Sequence, residues 1–207
     1  MTYKFLDILS TPSVRHAQSD NGSRQMWADL DADRLGDRFG DNERAFIGTR
    51  DSFYMATVSE SGWPYVQHRG GPAGFLKVLD DRTLGFADFR GNRQYISLGN
   101  VKADDRVALI MVDYPRRARL KMLAHMEAVD LAEAPDIAAR LALPGYRGLP
   151  ERGFVLKLES FDWNCTQHIV PRFTEAEIDM AISPLRDRIA ALEAENQALR
   201  ARFAETL

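Results

Sequence analysis

Phe53-Tyr54-Met55-Ala56-Thr57-Val58-Ser59-Glu60-Ser61-Gly62-Trp63-Pro64-Tyr65-Val66-Gln67-His68-Arg69 decides how this chain is read. Phe53 to Val58 is rich in aromatic and β-branched residues, Glu60-Ser61-Gly62 has turn chemistry, and Trp63 to Arg69 is the returning strand of a hairpin. The pattern then repeats. Phe75–Leu79, a turn at Asp80-Asp81-Arg82 and Thr83–Asp88 form a second predicted hairpin. Val107–Asp113, Arg119–Asp130 and Phe154–Ser160 read as further strands, with helices expected at 93–99 and 135–141. Short strands in hairpin order predict an antiparallel sheet that closes into a barrel, because closure removes exposed edges. The fold class is mainly β (α+β).

The flanks behave differently. Residues 1–50 read as a helical extension, with Ser23 capping a helix that carries Met26, Trp27 and Leu30, and Asp41 capping one that carries Ala45, Phe46 and Ile47. Residues 51–173 hold the barrel, and 174–207 are helical. Thr174 and Glu177 form a capping-box pattern, and Ser183-Pro184 reads as a second N-cap with proline at the first helical position. Beyond it Leu185, Ile189, Leu192, Asn196, Leu199 and Phe203 alternate at spacings of four and three, the d and a positions of three heptads. Two readings stand for this segment: a parallel dimeric coiled coil, or an amphipathic helix packed on its own barrel.

The chain has 207 residues, 45% hydrophobic and 28% charged, with a formal net charge of -3. That length suits one sizeable core, and that charge argues against general nucleic-acid binding. A lone cysteine, Cys165, cannot form an intramolecular disulfide framework or a self-contained thiolate zinc site. The first residues lack the apolar run of a signal peptide, and no stretch reaches the roughly 18 apolar residues of a membrane helix. The expectation is a soluble cytoplasmic protein.

Two cationic clusters carry the functional reading: Gln67-His68-Arg69-Gly70-Gly71 and Arg90-Gly91-Asn92-Arg93-Gln94. Guanidinium groups beside glycines and a helix N-terminus make a receptor for phosphate. Arg69 ends a strand before glycines that would let a ligand approach the backbone. Arg93 is expected in the first turn of a helix, where free N–H groups favour an anion. The bland alternative for each is a solvated surface arginine. A second constellation, Trp163-Asn164-Cys165-Thr166-Gln167-His168 with Arg172, offers an aromatic platform, amides, an imidazole and a guanidinium for a planar ring. Its alternative is a capped loop whose Trp covers the barrel end. Cys165 reads as a small buried thiol. Pro115 to Lys121 is a basic hairpin tip. The four histidines are scattered without metal-ligand spacing, and nucleophile-elbow, dinucleotide and P-loop glycine patterns do not occur.

Three words of sequence together resemble the pyridoxamine 5'-phosphate oxidase-related family of flavin-binding split barrels. They are the stretch from Phe53 to Pro72, Gly85-Phe86-Ala87-Asp88-Phe89-Arg90-Gly91-Asn92-Arg93-Gln94, and Asp104-Asp105-Arg106-Val107-Ala108-Leu109. Trp163 to Ile169 looks like the tail motif of one bacterial branch. The resemblance implies a six-stranded antiparallel split β-barrel, a homodimer, and one FMN in each of two clefts between subunits. It implies cofactor contacts from Val66, Gln67, His68, Arg69, Asp88, Asn92, Arg93 and Gln94, with Trp163 and Asn164 of the second subunit closing the ring pocket. Gln94 stands where the oxidase has a lysine, and Arg69 or Arg119 is the expected replacement charge. The oxidase's own C-terminal substrate pattern is not reproduced. The expected function is therefore an FMN-dependent oxidoreductase of undefined small-molecule substrate, with His168 a candidate proton donor and Arg172 a candidate anion contact. The rival expectation is a non-catalytic flavin carrier or sensor.

Overall fold

In the computed structural model the described residues are 4–28, 36–163 and 167–204. Four short helices come first: α1 (Lys4–Leu9), α2 (Pro12–Asp20), α3 (Arg24–Ala28) and α4 (Asp41–Gly48). Then follow β1 (Ser52–Val58), β2 (Pro64–Gly70), β3 (Lys77–Val78), β4 (Thr83–Phe89), α5 (Ile96–Ala103), β5 (Arg106–Asp113) and β6 (Ala118–Val129). The chain continues through α6 (Pro135–Leu141), β7 (Pro150–Trp163) and α7 (Glu175–Ala204). Contacts divide it into two units, Met1–Asp113 with Ala118–Gln167, and Tyr114–Arg117 with His168–Leu207.

The strands form one antiparallel sheet of seven, in the order β2-β1-β5-β6-β7-β4-β3, where six were expected. The extra one is β3, two residues long. Leu76 and Phe75 are buried beside it, but only Lys77 and Val78 pair with β4. No pairing joins β2 to β3 among the described residues, so the sheet is not closed.

Core packing nevertheless rolls it up. Four strand steps separate β1 from β4 in the sheet order, about 19 Å in a flat sheet at the usual strand spacing. The rings of Phe53 on β1 and Phe86 on β4 are 5.3 Å apart. Phe53, Phe75, Phe86 and Phe154 are each 1% exposed or less and share one core with Met55, Met111, Met122 and Met126. At roughly 1.5–3 kcal/mol for each such side chain, this shared interior is what curls the sheet. Strand β5 buries Val107, Leu109 and Met111, and β6 buries Leu120, Met122, Ala124 and Met126, the period-two signature of a sheet with one inward face.

Several local expectations are corrected. Asp41 is not the cap of α4. Gly40 holds that position, and the Glu43 carboxylate accepts its N–H at 2.9 Å. Helix α3 starts directly after Ser23, while Leu30 lies outside the described residues. Helix α5 begins at Ile96, not at Arg93, because Arg93 and Tyr95 both have left-handed backbone (φ 61 and 54). Ser183-Pro184 does not open a new helix: α7 runs from Glu175 through Pro184 to Ala204. The capping box at its start forms as expected, with Thr174 N donating to Glu177 Oε2 (2.8 Å) and Glu177 N donating to Thr174 Oγ1 (3.2 Å). Residues Tyr114–Arg117 form the basic hairpin turn. None of the described helices is long and apolar enough to cross a membrane.

Candidate functional site

The sheet's open seam, where β2 approaches β4, holds a cleft of about 180 Å³. Strand β2 alternates half-buried and exposed residues, so Tyr65, Gln67 and Arg69 share one face and turn into this cleft. Asp88 and Phe89 at the end of β4 form the opposite wall. Gly91, Asn92, Arg93 and Gln94, the first turn of α5 and Glu151 of β7 complete it. A second hollow of about 190 Å³ shares Gln67, Arg69, Asp88, Phe89 and Gly91 and extends along the seam to His68 and Ala87.

Charge at the seam is ordered. Arg69 Nη1 donates to Asp88 Oδ1 at 2.7 Å, and Arg152 Nε lies 3.6 Å from the other carboxylate oxygen. Burial raises the Asp88 carboxyl above its ordinary value, against the opposing pull of Arg69 and Arg152. Arg69 Nε is buried with no hydrogen-bond partner. At the mouth, Glu151 accepts from Arg90 Nε (3.0 Å) and from the Tyr95 hydroxyl (3.2 Å), and the Arg90 hydrogen bond lowers its carboxyl. Arg93 Nε donates only a long 3.4 Å bond, to the Tyr95 hydroxyl. Arg69, Arg90, Arg93 and Arg152 thus face two carboxylates, Asp88 and Glu151, which leaves an excess of positive charge for an anion.

Backbone groups add donors. Gly99 N is bonded to Tyr95 O, so the N–H groups of Ile96, Ser97 and Leu98, which line the cleft, have no intrahelical acceptor. At the two ends of the β1–β2 ladder, Gly71 N donates to Asp51 O (2.9 Å) and Ser59 N to Trp63 O (3.0 Å). With unbroken β1–β2 register between them, alternation turns the N–H and C=O of Tyr65, Gln67 and Arg69 toward β1. Those of Val66 and His68 point out from the open edge. The backbone groups of Gln67 and Arg69 are therefore engaged within the sheet, and those of His68 face away from it.

Of the anticipated residues, Gln67, His68, Arg69, Asp88, Asn92, Arg93 and Gln94 are gathered along the seam. The Val66 side chain is not: it is 61% exposed and absent from the lining of either hollow. Asn92 does not cap α5 but interlocks with Gln94, accepting Gln94 N at 3.1 Å and donating Nδ2 to Gln94 Oε1 at 3.2 Å. Gly70 lines the second hollow, whereas Gly71 serves packing. A Cβ on Gly71 would lie 2.8 Å from the Phe75 ring. Trp163 does not line the cleft of its own chain; its indole N–H donates to Glu43 Oε1 (2.7 Å) and its ring meets Phe46 edge-on at 4.8 Å. Arg119 is likewise outside the cleft lining. Asn164 and Cys165 fall outside the described residues. His168, with φ 62, and Arg172, whose guanidinium covers the Tyr114 ring at 4.9 Å, belong to the other unit. Sequence reasoning missed Tyr65, Tyr95, Glu151 and Arg152. The adjacent charges Glu151-Arg152 entering a strand were the available signal.

The model of the pyridoxamine 5'-phosphate oxidase family matches residues 39–155, and the chain belongs to that family. No curated protein matches it. Among solved structures it is similar to a candidate pyridoxamine 5'-phosphate oxidase from Lactobacillus delbrueckii, at 23% identity over 64% of this chain and 97% of that one, with a TM-score of 0.46. It is also similar to an FMN-binding protein from Syntrophomonas wolfei, at 17% identity over 74% and 95%, with a TM-score of 0.43. An F420 reductase matches at 19% identity over 60% and 98%, with a TM-score of 0.43.

Proposed function

We propose that this chain binds FMN at the seam between β2 and β4 and acts as a flavin-dependent oxidoreductase. The observation that carries the reading is the convergence on one cleft of Arg93, the free N–H groups of α5's first turn and the unpartnered Arg69 Nε. Arg93 and those N–H groups would hold the terminal phosphate. Gln94, as an amide in place of a lysine, contributes a hydrogen bond without charge. The outward N–H and C=O of His68 and Val66 would meet the ring's polar edge. Bound FMN supplies hydride and electron transfer; the chain binds it, orients it and sets the charge around it.

Size supports arrangement as a homodimer. The two seam hollows, about 180 and 190 Å³, are each below the roughly 300–1,000 Å³ of sites that enclose a cofactor-sized ligand, and a second copy would supply a further wall. Exposed Tyr54, Val58, Trp63 and Val66 give β1, β2 and their turn an apolar patch suited to such a contact. Trp163, fixed by Glu43 and Phe46 yet 38% exposed, and Asn164 are our candidates for that wall. His168 and Arg172 are our candidates for contact with a small anionic substrate, His168 as proton donor.

The absorption spectrum of the protein as purified, with identification of any cofactor released on denaturation, tests the reading. FMN is the expected product. A colourless protein that leaves added FMN unquenched, or one that carries haem or a deazaflavin, would overturn it. Steady-state oxidation of NADH or NADPH with an acceptor then separates an enzyme from a carrier.

A further inference from the structure

Helix α7 has 30 residues, is about 45 Å long and contains no buried residue. Its continuity through Pro184, a residue strongly disfavoured inside a helix, calls for support from packing. The heptad pattern extends backward, so that Ile182, Ile189, Asn196 and Phe203 occupy a and Ile178, Leu185, Leu192 and Leu199 occupy d. Leu185, Ile189 and Phe203 are 64%, 56% and 73% exposed, which leaves this stripe open to a partner. Pro184 falls at c, away from the stripe.

We propose that α7 forms a parallel two-stranded coiled coil with α7 of a second copy of this chain. Three features select that occupant. Isoleucine at a with leucine at d favours two parallel strands. Arg188 and Glu195 at g face Glu193 and Arg200 at e of a parallel partner, so both charge pairs are attractive. Asn196 at a meets its own counterpart in a parallel register and hydrogen-bonds to it, whereas an antiparallel register sets its amide against a d-position leucine with nothing to bond. Asp179 and Arg186, both at e, face no charged g partner and bond to each other at 3.0 Å along the helix. The segment lies beyond the residues that match the family model.

The coil joins two copies independently of the barrel contact and raises the effective concentration of one barrel for the other. The proposal does not rest on flavin binding, and its test reads a different quantity. In the full chain with Cys165→Ala, Leu192→Cys and, separately, Asp187→Cys are introduced, at d and at the outward f position. Under mild oxidation Leu192→Cys is expected to give a covalent dimer on denaturing gels, and Asp187→Cys a monomer. Charge inversion supplies the second arm: Glu193→Arg should reduce cross-linking of Leu192→Cys several-fold, and adding Arg188→Glu should restore it. Absence of cross-linking at Leu192→Cys, equal cross-linking at Asp187→Cys, or failure of the double inversion to restore the link would each overturn the parallel coil. A chain that cross-links without binding FMN, or binds FMN without cross-linking, separates the two readings.

Discussion

Arg69 and Asp88 stand five strands apart in the sheet order and 2.7 Å apart in space. Their ion pair therefore crosses the seam that backbone pairing leaves open. Both side chains are largely buried, at 20% and 9% exposure, so losing one partner strands the other charge in a poorly solvated place. Asp88→Ala should destabilise the fold by about 3 kcal/mol in urea denaturation. A double-mutant cycle with Arg69→Ala should return a coupling of about 1–3 kcal/mol. Strictly additive losses would show that the pair does not fasten the seam.

Arg93 has the opposite character. It is exposed, sits in left-handed backbone and makes one long hydrogen bond, so its removal leaves nothing unpaired. Arg93→Ala should leave the melting temperature unchanged and weaken FMN roughly ten- to hundredfold, the worth of a charge-assisted hydrogen bond to phosphate. Riboflavin, lacking the phosphate, should lose little. Equal losses for the two ligands in flavin-fluorescence titrations would remove Arg93 from the phosphate site.

Two glycines that look alike in the sequence should answer differently to alanine. At Gly71 an added methyl would press on the Phe75 ring at 2.8 Å and on its Cβ at 2.9 Å, within a packed core. Overpacking of that kind costs about 1–3 kcal/mol. At Gly91 the same methyl meets no atom within 4 Å, and stability should stay within about 0.5 kcal/mol. Any loss at Gly91→Ala should appear in flavin affinity alone, which calorimetric unfolding alongside ligand titration would separate.

These contrasts mark what the sequence made legible. Hairpins with local turns were readable: β1 and β2 run within a residue of the expected spans, and α6 starts and ends where expected. So were the two cationic clusters, because each is contiguous. Contacts that depend on the sheet curling over its core were not. Nothing local announces that Arg69 will find Asp88, or that Glu151 will gather Arg90 and Tyr95. The start of α5 was misplaced because Arg93 and Tyr95 take positive φ without the glycine or asparagine that usually signals it. Pro184 was read as a beginning because proline favours the first helical turn, yet the helix runs through it. Gly71, which the sequence set beside a ligand, packs against Phe75, four residues further on.

Acid stability should report on the turn between α5 and β5. Arg106 donates from its backbone N (3.1 Å) and its Nε (2.8 Å) to Asp104 Oδ1, and this side-chain bond above all holds the Asp104 carboxyl down to about 2 against an ordinary value of 3.8. A carboxyl lowered on folding favours the folded state wherever it is ionised in both states. Its contribution is thus fully present above about pH 4 and disappears as the pH falls through about 2. Asp104→Asn should therefore be less stable than the parent chain at pH 5. The gap in urea midpoints should narrow steadily below pH 4 and close near pH 2. A gap that stays constant from pH 5 to pH 2 would mean the asparagine loses packing or turn geometry and not charge, and an NMR titration of the Asp104 carboxyl would then place it at its ordinary value.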